Sequence, residues 1–294
     1  MKTRILFLFF VHTRILTKPL YVIFFFTILL PGINCSDRGF DGNLGSGENQ
    51  SGSRPEPGVE GYPQAVDFIS GEIEASYEKV MNISNRIGKI KVIAEDSSLP
   101  IRWELKRFVT ARNENKANKH LGDISVINLK EQDSLFVEVK APPLIEAILE
   151  YFTDFTLRTQ RNKDVIIETA SHKISTSAMV SNLRINEANS DIDIRFHRAS
   201  CDVFTYNGDI LIEIRLTDGE YCIASTKKGD IYLEIPVITS ASVTALSHNG
   251  TAESLGLVFS SYQSETGKLE GILGEGFSTI KLETLDGNIT INGF

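Results

Sequence analysis

Residues 201–214 read CDVFTYNGDILIEI, and residues 222–235 read CIASTKKGDIYLEI. Placed one above the other, the two stretches match closely in residue class from the cysteine to the glycine. After the glycine, each has aliphatic residues at alternate positions. A period of two puts alternate side chains on one face of a β-strand. The pair therefore predicts two extended segments, each with one buried face, joined by a turn at the glycine.

A common sequence pattern occurs five times: an apolar run, a turn residue, glycine, a polar residue and a second apolar run. The five glycines are 21, 21, 17 and 20 residues apart, and they are Gly208, Gly229, Gly250, Gly267 and Gly287. A period near twenty is too short for a helix pair and is typical of one coil, or rung, of a stacked β architecture. We therefore predict an all-β fold, a parallel β-helix-like solenoid with rungs of about 20 residues.

A second arrangement remains open on the sequence alone. Asn-Gly between two alternating strands, as at Asn207-Gly208, is also a strong signal for a two-residue hairpin. Hairpins in place of corners would give an antiparallel β meander. A leucine-rich repeat has a similar period, but its L-x-x-L-x-L spacing is missing here.

The closing stretch, residues 276–291, reads GFSTIKLETLDGNITI, and together with the upstream Gly-Asp-Ile rungs it resembles the bacterial putative-adhesin domain family. The entry segment, residues 80–92, is similar to the first strand pair of that family. The resemblance covers roughly residues 72 to 294, most strongly from residue 200 onward. It implies an exported or envelope-attached β-helical protein without an established activity.

One segment has a helical pattern. Residues 142–152 begin with two prolines, and five apolar residues fall on one helical face: Leu144, Ile145, Ile148, Leu149 and Phe152. We expect the single short helix of the fold here, covering an open end or an exposed sheet edge.

The N-terminus is typical of an export signal. It carries four basic residues and no acidic residue before Asp37, and residues 20–30 form an 11-residue run that is apolar apart from Thr27. Such a run is too short to span a bilayer and has the length of a signal-peptide core. Residues 1–34 are therefore predicted to be a signal peptide.

Cys35 lies shortly after the apolar run of residues 20–30. A cysteine in this place resembles the processing site of a bacterial lipoprotein. The match is incomplete, because Gly32 and Asn34 stand where leucine and a small residue are expected. We predict lipidation at Cys35; the alternative is cleavage elsewhere, with Cys35 uninvolved.

Residues 35–64 are predicted to be a flexible tether. They include seven glycines and very few aliphatic residues, too little apolar surface to offset the entropy of ordering. Residues 65–294 would form the solenoid domain. Loss of residues 1–34 would change the formal charge from −8 to −12, since four positive charges leave. An acidic protein argues against nucleic-acid binding.

Cys201 and Cys222 occupy equivalent places one rung apart. In an exported protein they could form a disulfide. Alternatively they are two small apolar residues of an interior row that Val243 would continue. A zinc site is disfavoured because no Cys-x-x-Cys pair occurs in the sequence.

The turn carboxylates Asp191, Asp209 and Asp230 would stack on successive rungs and end at Thr251. Paired carboxylates could hydrolyse a glycan or bind a cation, but aspartate is also a favourable corner residue. The histidines show no catalytic or metal-ligand spacing.

These observations favour an envelope protein without catalysis, cofactor or metal. It would be anchored to the outer membrane or the periplasmic face through a lipid, and would present its solenoid to an extracellular or envelope ligand or serve as a spacer. A β-helical glycan-active enzyme and a self-assembling scaffold are the alternatives.

Overall fold

The computed structural model describes residues 58–74, 77–169 and 172–294. The predicted signal peptide, Cys35 and the tether up to residue 57 lie outside these residues. Within the described ranges no helix is both long and apolar enough to cross a membrane.

The described chain is almost entirely β-structure, with one α-helix, α1 (Glu114–His120). The first strands are β1 (Gln64–Ile73), β2 (Val80–Asn85), β3 (Gly88–Glu95), β4 (Ile101–Ala111), β5 (Ser125–Glu131), β6 (Ser134–Lys140), β7 (Ile148–Gln160), β8 (Asp164–Thr169), β9 (Lys173–Ser177), β10 (Leu183–Glu187) and β11 (Asp191–His197). The remaining strands are β12 (Cys201–Asn207), β13 (Ile210–Ile214), β14 (Tyr221–Lys228), β15 (Ile231–Ile235), β16 (Ala241–Ser247), β17 (Ala252–Leu255), β18 (Phe259–Glu265), β19 (Lys268–Leu273), β20 (Ser278–Asp286) and β21 (Ile289–Gly293).

The strands form two sheets, and most pairs are parallel. Sheet A has the order β1-β4-β7-β3-β9-β11-β13-β15-β21-β17, and sheet B has the order β18-β19-β16-β20-β14-β12-β10-β8-β2-β6-β5. A rung is one strand of sheet B, a corner and the next strand of sheet A, as in β12 and β13. The predicted solenoid is therefore confirmed.

The core lies between the sheets and is built from the alternating aliphatic residues. Ile210 pairs with Ile231 and Ile212 with Leu233 in the parallel register, as the two aligned stretches predict. Ile212, Leu233 and Ile291 are fully buried. Their neighbours Glu213, Glu234 and Thr290 lie on the outward face and are half-buried.

The rungs do not stack in chain order. The last rung, β20 and β21, lies between the rung of β14 and β15 and the rung of β16 and β17. At the other end, β2 lies between β8 and β6, and β3 lies between β9 and β7. The later strands β6 and β7 therefore lie farther out in the stack than the earlier β2 and β3. The predicted row from Cys222 to Val243 is therefore wrong, because Ile280 lies between them. Nothing local in the sequence distinguishes a rung that stacks on its predecessor from one that inserts later.

Antiparallel strands flank the parallel rungs at both ends. β4 pairs antiparallel with β7 and with β1, and β5 pairs antiparallel with β6. At the far end β18 and β19 form a hairpin around Thr266-Gly267. The fourth of the five glycine patterns, at Gly267, is thus a hairpin turn. The other four glycines lie at corners of parallel rungs: Gly208, Gly229, Gly250 and Gly287.

The predicted helix at residues 142–152 is wrong. Ile148 begins β7, a 13-residue strand between β4 and β3, and residues 142–147 belong to no helix or strand. An apolar run this short is compatible with the period of a helix and with that of a strand. Pairing with β4 on one side and β3 on the other favours the strand. The α-helix is α1, which Asn113 caps through a hydrogen bond from Lys116 N–H (3.0 Å). It packs against β1 and β4.

Candidate functional site

The corner aspartates form a hydrogen-bonded ladder between rungs. The Asp209 N–H donates to Asp191 Oδ1 (3.2 Å), and the Asp230 N–H donates to Asp209 Oδ1 (2.8 Å). The Asn288 N–H then donates to Asp230 Oδ1 (2.7 Å), and the Thr251 N–H donates to Asn288 Oδ1 (3.0 Å). Each side-chain oxygen thus satisfies a backbone donor of the next corner.

The predicted stacking of Asp191, Asp209 and Asp230 is confirmed, but the residue that follows them is Asn288. Thr251 comes one rung later because the last rung is inserted. An amide serves at Asn288 as well as a carboxylate does at Asp230, so the position requires a hydrogen-bond acceptor and not a negative charge. This favours a structural role for the ladder.

A second ladder, inside the corner, was missed in the sequence. The hydroxyls of Thr205, Thr226 and Thr284 donate to the carbonyl oxygens of Ser190, Gly208 and Gly229, respectively (3.2, 3.2 and 2.9 Å). Ser247 donates in the same way to Gly287 (2.6 Å). All four hydroxyl residues are buried. The signal was a serine or threonine three residues before each corner glycine.

Cys201 and Cys222 are register partners on β12 and β14. Both are fully buried as thiols, with 3.5 Å between the two Sγ atoms. The hydrogen bond between the thiols, and then their burial, raise the pKa of Cys201 well above the usual value. The disulfide stays one of the two alternatives that the sequence leaves open for these cysteines, and peptide mapping without reductant would test it.

No group of three or more potential metal ligands occurs among the described residues. One open depression, of about 600 Å³, lies on sheet A and is lined in part by Glu213, Glu234, Leu255 and Phe294. Glu234 is also within 3.4 Å of Arg195, so part of its charge is balanced. With two carboxylates and one of them paired, this depression does not have the ligands of a metal site.

A second open depression, of about 570 Å³, lies over β10 and β12 on the outward face of sheet B. It is lined by Asn186, Glu187, Ala188, Asn189, Phe204, Tyr206 and Asn207. We call its two aromatic rings and three side-chain amides the aromatic–amide patch: Phe204, Tyr206, Asn186, Asn189 and Asn207. It is the candidate binding site. Sequence reasoning missed it, because its residues come from two separate strands and from the corner that follows β10.

Several solved structures resemble the fold at low identity. A crystal structure of a putative cell adhesion protein from Clostridium sporogenes matches with a TM-score of 0.42 and 11% identity, covering 78% of this chain and 100% of that one. A putative adhesin from Bacteroides fragilis matches with a TM-score of 0.39 and 10% identity, covering 78% and 97%. A putative lipid binding protein from Parabacteroides distasonis matches with a TM-score of 0.28 and 10% identity, covering 81% and 98%.

These likenesses are too distant to carry an argument about function. A comparison with curated proteins gives no match. The family model described as Toastrack DUF4097 matches residues 84–292, which is well over half of the chain and includes the rungs and corners described above. The chain therefore belongs to the Toastrack DUF4097 family.

Proposed function

We propose that this protein is a non-catalytic envelope protein whose solenoid presents a binding surface or acts as a spacer. The observation that carries the proposal is the corner ladder. The candidate acid–base carboxylates Asp191, Asp209 and Asp230 each accept a backbone N–H of the next rung. A carboxylate held in this way stabilises the stacking, and Asn288 does the same without a charge.

The proposed cellular address rests on the sequence. Residues 1–34 would direct export, Cys35 would carry the lipid, residues 35–64 would tether the protein, and residues 65–294 would form the displayed domain. A tether placed directly after an acylated cysteine holds a domain away from the membrane surface. The lipid would place the protein on the outer membrane or the periplasmic face.

Fatty-acid labelling tests this address. The wild-type protein, expressed in a bacterial host with radiolabelled palmitate, should incorporate label and partition into detergent, and Cys35→Ala should lose both properties. Ser36→Ala, next to the same site, is the matched control and should behave like wild type. An unlabelled, soluble wild-type protein would refute lipid anchoring.

A glycan-active enzyme is the second candidate, since Asp191, Asp209 and Asp230 lie on successive rungs. Asp209→Asn tests it cleanly, because the amide retains the acceptor oxygen that the ladder needs. Under our proposal the variant folds normally, and neither protein releases sugar from envelope or plant polysaccharides. Turnover by wild type that disappears in Asp209→Asn would establish the enzyme instead.

A self-assembling scaffold is the third candidate. Among the described strands, β1, β5, β17 and β18 are the sheet edges, and unpaired edges can pair with another chain. Sedimentation of the purified protein over a wide concentration range decides this point. A monomer throughout excludes the scaffold, whereas growing polymers would replace the display role.

A further inference from the structure

The aromatic–amide patch owes its shape to a difference in length between two neighbouring strands. Phe204 on β12 pairs with Asn186 near the end of β10. Beyond that point the Asn207 N–H donates to Ala188 O (3.0 Å), so the small Ala188 lies beside Tyr206. No large side chain of the neighbouring rung therefore covers the β10 side of Tyr206, which is 45% exposed.

The other side of Tyr206 is already occupied. Lys227, its neighbour on β14, places Nζ 4.7 Å from the ring centroid. This cation–π contact holds the ring in one orientation without closing the depression. A ligand that stacks on the open side would meet a ring that is already ordered, which lowers the entropy cost of binding.

The amides form a polar rim beside the rings. Asn207 Nδ2 donates to Asn189 Oδ1 (2.6 Å), which fixes the two amides relative to each other. Asn186 is exposed on β10. Each amide has both donor and acceptor atoms, so the rim can satisfy hydroxyl groups, which also donate and accept.

Two charged groups lie at the patch, and both have roles within the protein: Glu187, which also lines the depression, and Lys227. The Glu187 carboxylate is buried and accepts the N–H groups of Ala188 (2.8 Å) and Asn189 (3.3 Å). Lys227 is held over Tyr206. The patch itself therefore offers an aromatic face and neutral hydrogen-bonding groups.

We propose that the aromatic–amide patch binds a neutral oligosaccharide. A pyranose ring has an apolar C–H face that stacks on an aromatic ring, with hydroxyls around its rim, and Tyr206 with Asn186, Asn189 and Asn207 provides both complements. The depression is open, as suits a chain polymer that runs across the strands. This inference rests on the proposed binding role and names its ligand class.

Calorimetric titration of the full chain in detergent with chitohexaose and cellohexaose tests the inference. Wild type should bind at least one of these sugars. Tyr206→Ala should weaken binding roughly tenfold, because the stacking ring is lost. Tyr206→Phe should retain the affinity, and Asn186→Ala should lower it several-fold.

Tyr232→Ala is the matched control, because Tyr232 has a similar exposure of 40% but lies on sheet A. It should leave sugar affinity unchanged, and thermal unfolding of every variant verifies that the fold is intact. Equal losses in Tyr206→Ala and Tyr232→Ala would overturn the inference. So would capture of peptides, but not sugars, in a Tyr206-dependent manner.

Failure of this inference and failure of the proposed function give different results. A chain that incorporates fatty acid and has no polysaccharide turnover, yet binds neither sugar, overturns the ligand class alone. Turnover that is lost in Asp209→Asn overturns the proposed function, whatever the patch binds.

Discussion

Gly229 shows why the corners of parallel rungs carry glycine. Its φ is +145°, and a Cβ at this position would lie 2.1 Å from Gly208 O of the neighbouring rung. Backbone strain and close contact with the neighbouring rung can be separated by comparison with Gly219. Its φ is +83°, but a Cβ there would have no atom within 4 Å. A side chain at Gly219 meets only backbone strain, whereas one at Gly229 also pushes two rungs apart.

We therefore expect Gly229→Ala to destabilise the protein by more than the roughly 1–3 kcal/mol of backbone strain alone. Gly219→Ala should stay within that range. Urea denaturation of the two variants and wild type measures the difference. Equal losses at the two positions would show that contact between corners contributes nothing.

His197 is a buried titratable group. It is fully buried, its Nε2 lies 3.2 Å from Ser200 O, and Nδ1 has no hydrogen-bond partner within the described residues. Burial lowers the pKa of His197 below its ordinary value, although Ser200, Glu220 and Ala199 oppose the shift. The native state therefore keeps this histidine neutral at a pH where the unfolded chain binds a proton.

The sign of the pH dependence follows from this difference. The contribution to stability is complete above the unfolded pKa of about 6.5 and is lost as the pH falls from there toward the lower folded pKa. One such group changes the free energy of unfolding by at most about 1.4 kcal/mol per pH unit. We expect His197→Gln to reduce the slope between pH 7 and pH 5, measured by urea denaturation.

His248→Gln is the control for that experiment, because it removes a histidine that lies at the surface, 3.0 Å from Glu283. A His197→Gln variant with an unchanged slope would show that His197 is not the group that titrates.

Within one strand, neighbouring residues differ sharply in what they contribute. Ile212 is fully buried, whereas Glu213 lies on the outward face of the same strand, β13. Ile212→Ala should cost roughly 2–5 kcal/mol through lost burial and a cavity. Glu213→Ala should change stability by no more than about 0.5 kcal/mol. Comparable losses in chemical denaturation would contradict the strand register.

The corners of the parallel rungs, and the face that each of their strands buries, could be predicted from the sequence because their causes are local. Alternating aliphatic residues and a glycine with positive φ specify a strand, a corner and a buried face, as at Ile210 and Gly208. The strand that begins at Ile148 could not be predicted in this way, because its conformation depends on pairing with β4 and β3. The aromatic–amide patch was hidden for a similar reason, since it forms only when β10 and β12 lie side by side.

The order of the rungs reflects how the whole molecule protects its core. At each end the outer rung and the rung next to it are out of chain order. Antiparallel strands flank the outer rung in both sheets at the β1 end and in sheet B alone at the other end, where β17 is an edge strand. The final rung thus has neighbours on both sides, with β14 and β16 on either side of β20 and β15 and β17 on either side of β21. An inserted rung links segments that are distant in the chain.

This topology predicts an unusual response to truncation. If rungs stacked in chain order, removal of residues 278–294 would shorten the solenoid and leave the rest folded. Here the same deletion removes β20 and β21 from between two rungs, leaving β14 to β17 without partners on those sides and exposing Leu233, which pairs with Ile291. We expect the truncated protein to lose cooperative thermal unfolding.

Removal of β1, an edge strand that pairs only with β4, is the control and should preserve a cooperative transition, measured by circular dichroism. A cooperative transition after loss of residues 278–294 would mean that the inserted rung is dispensable and that the remaining rungs can close the gap.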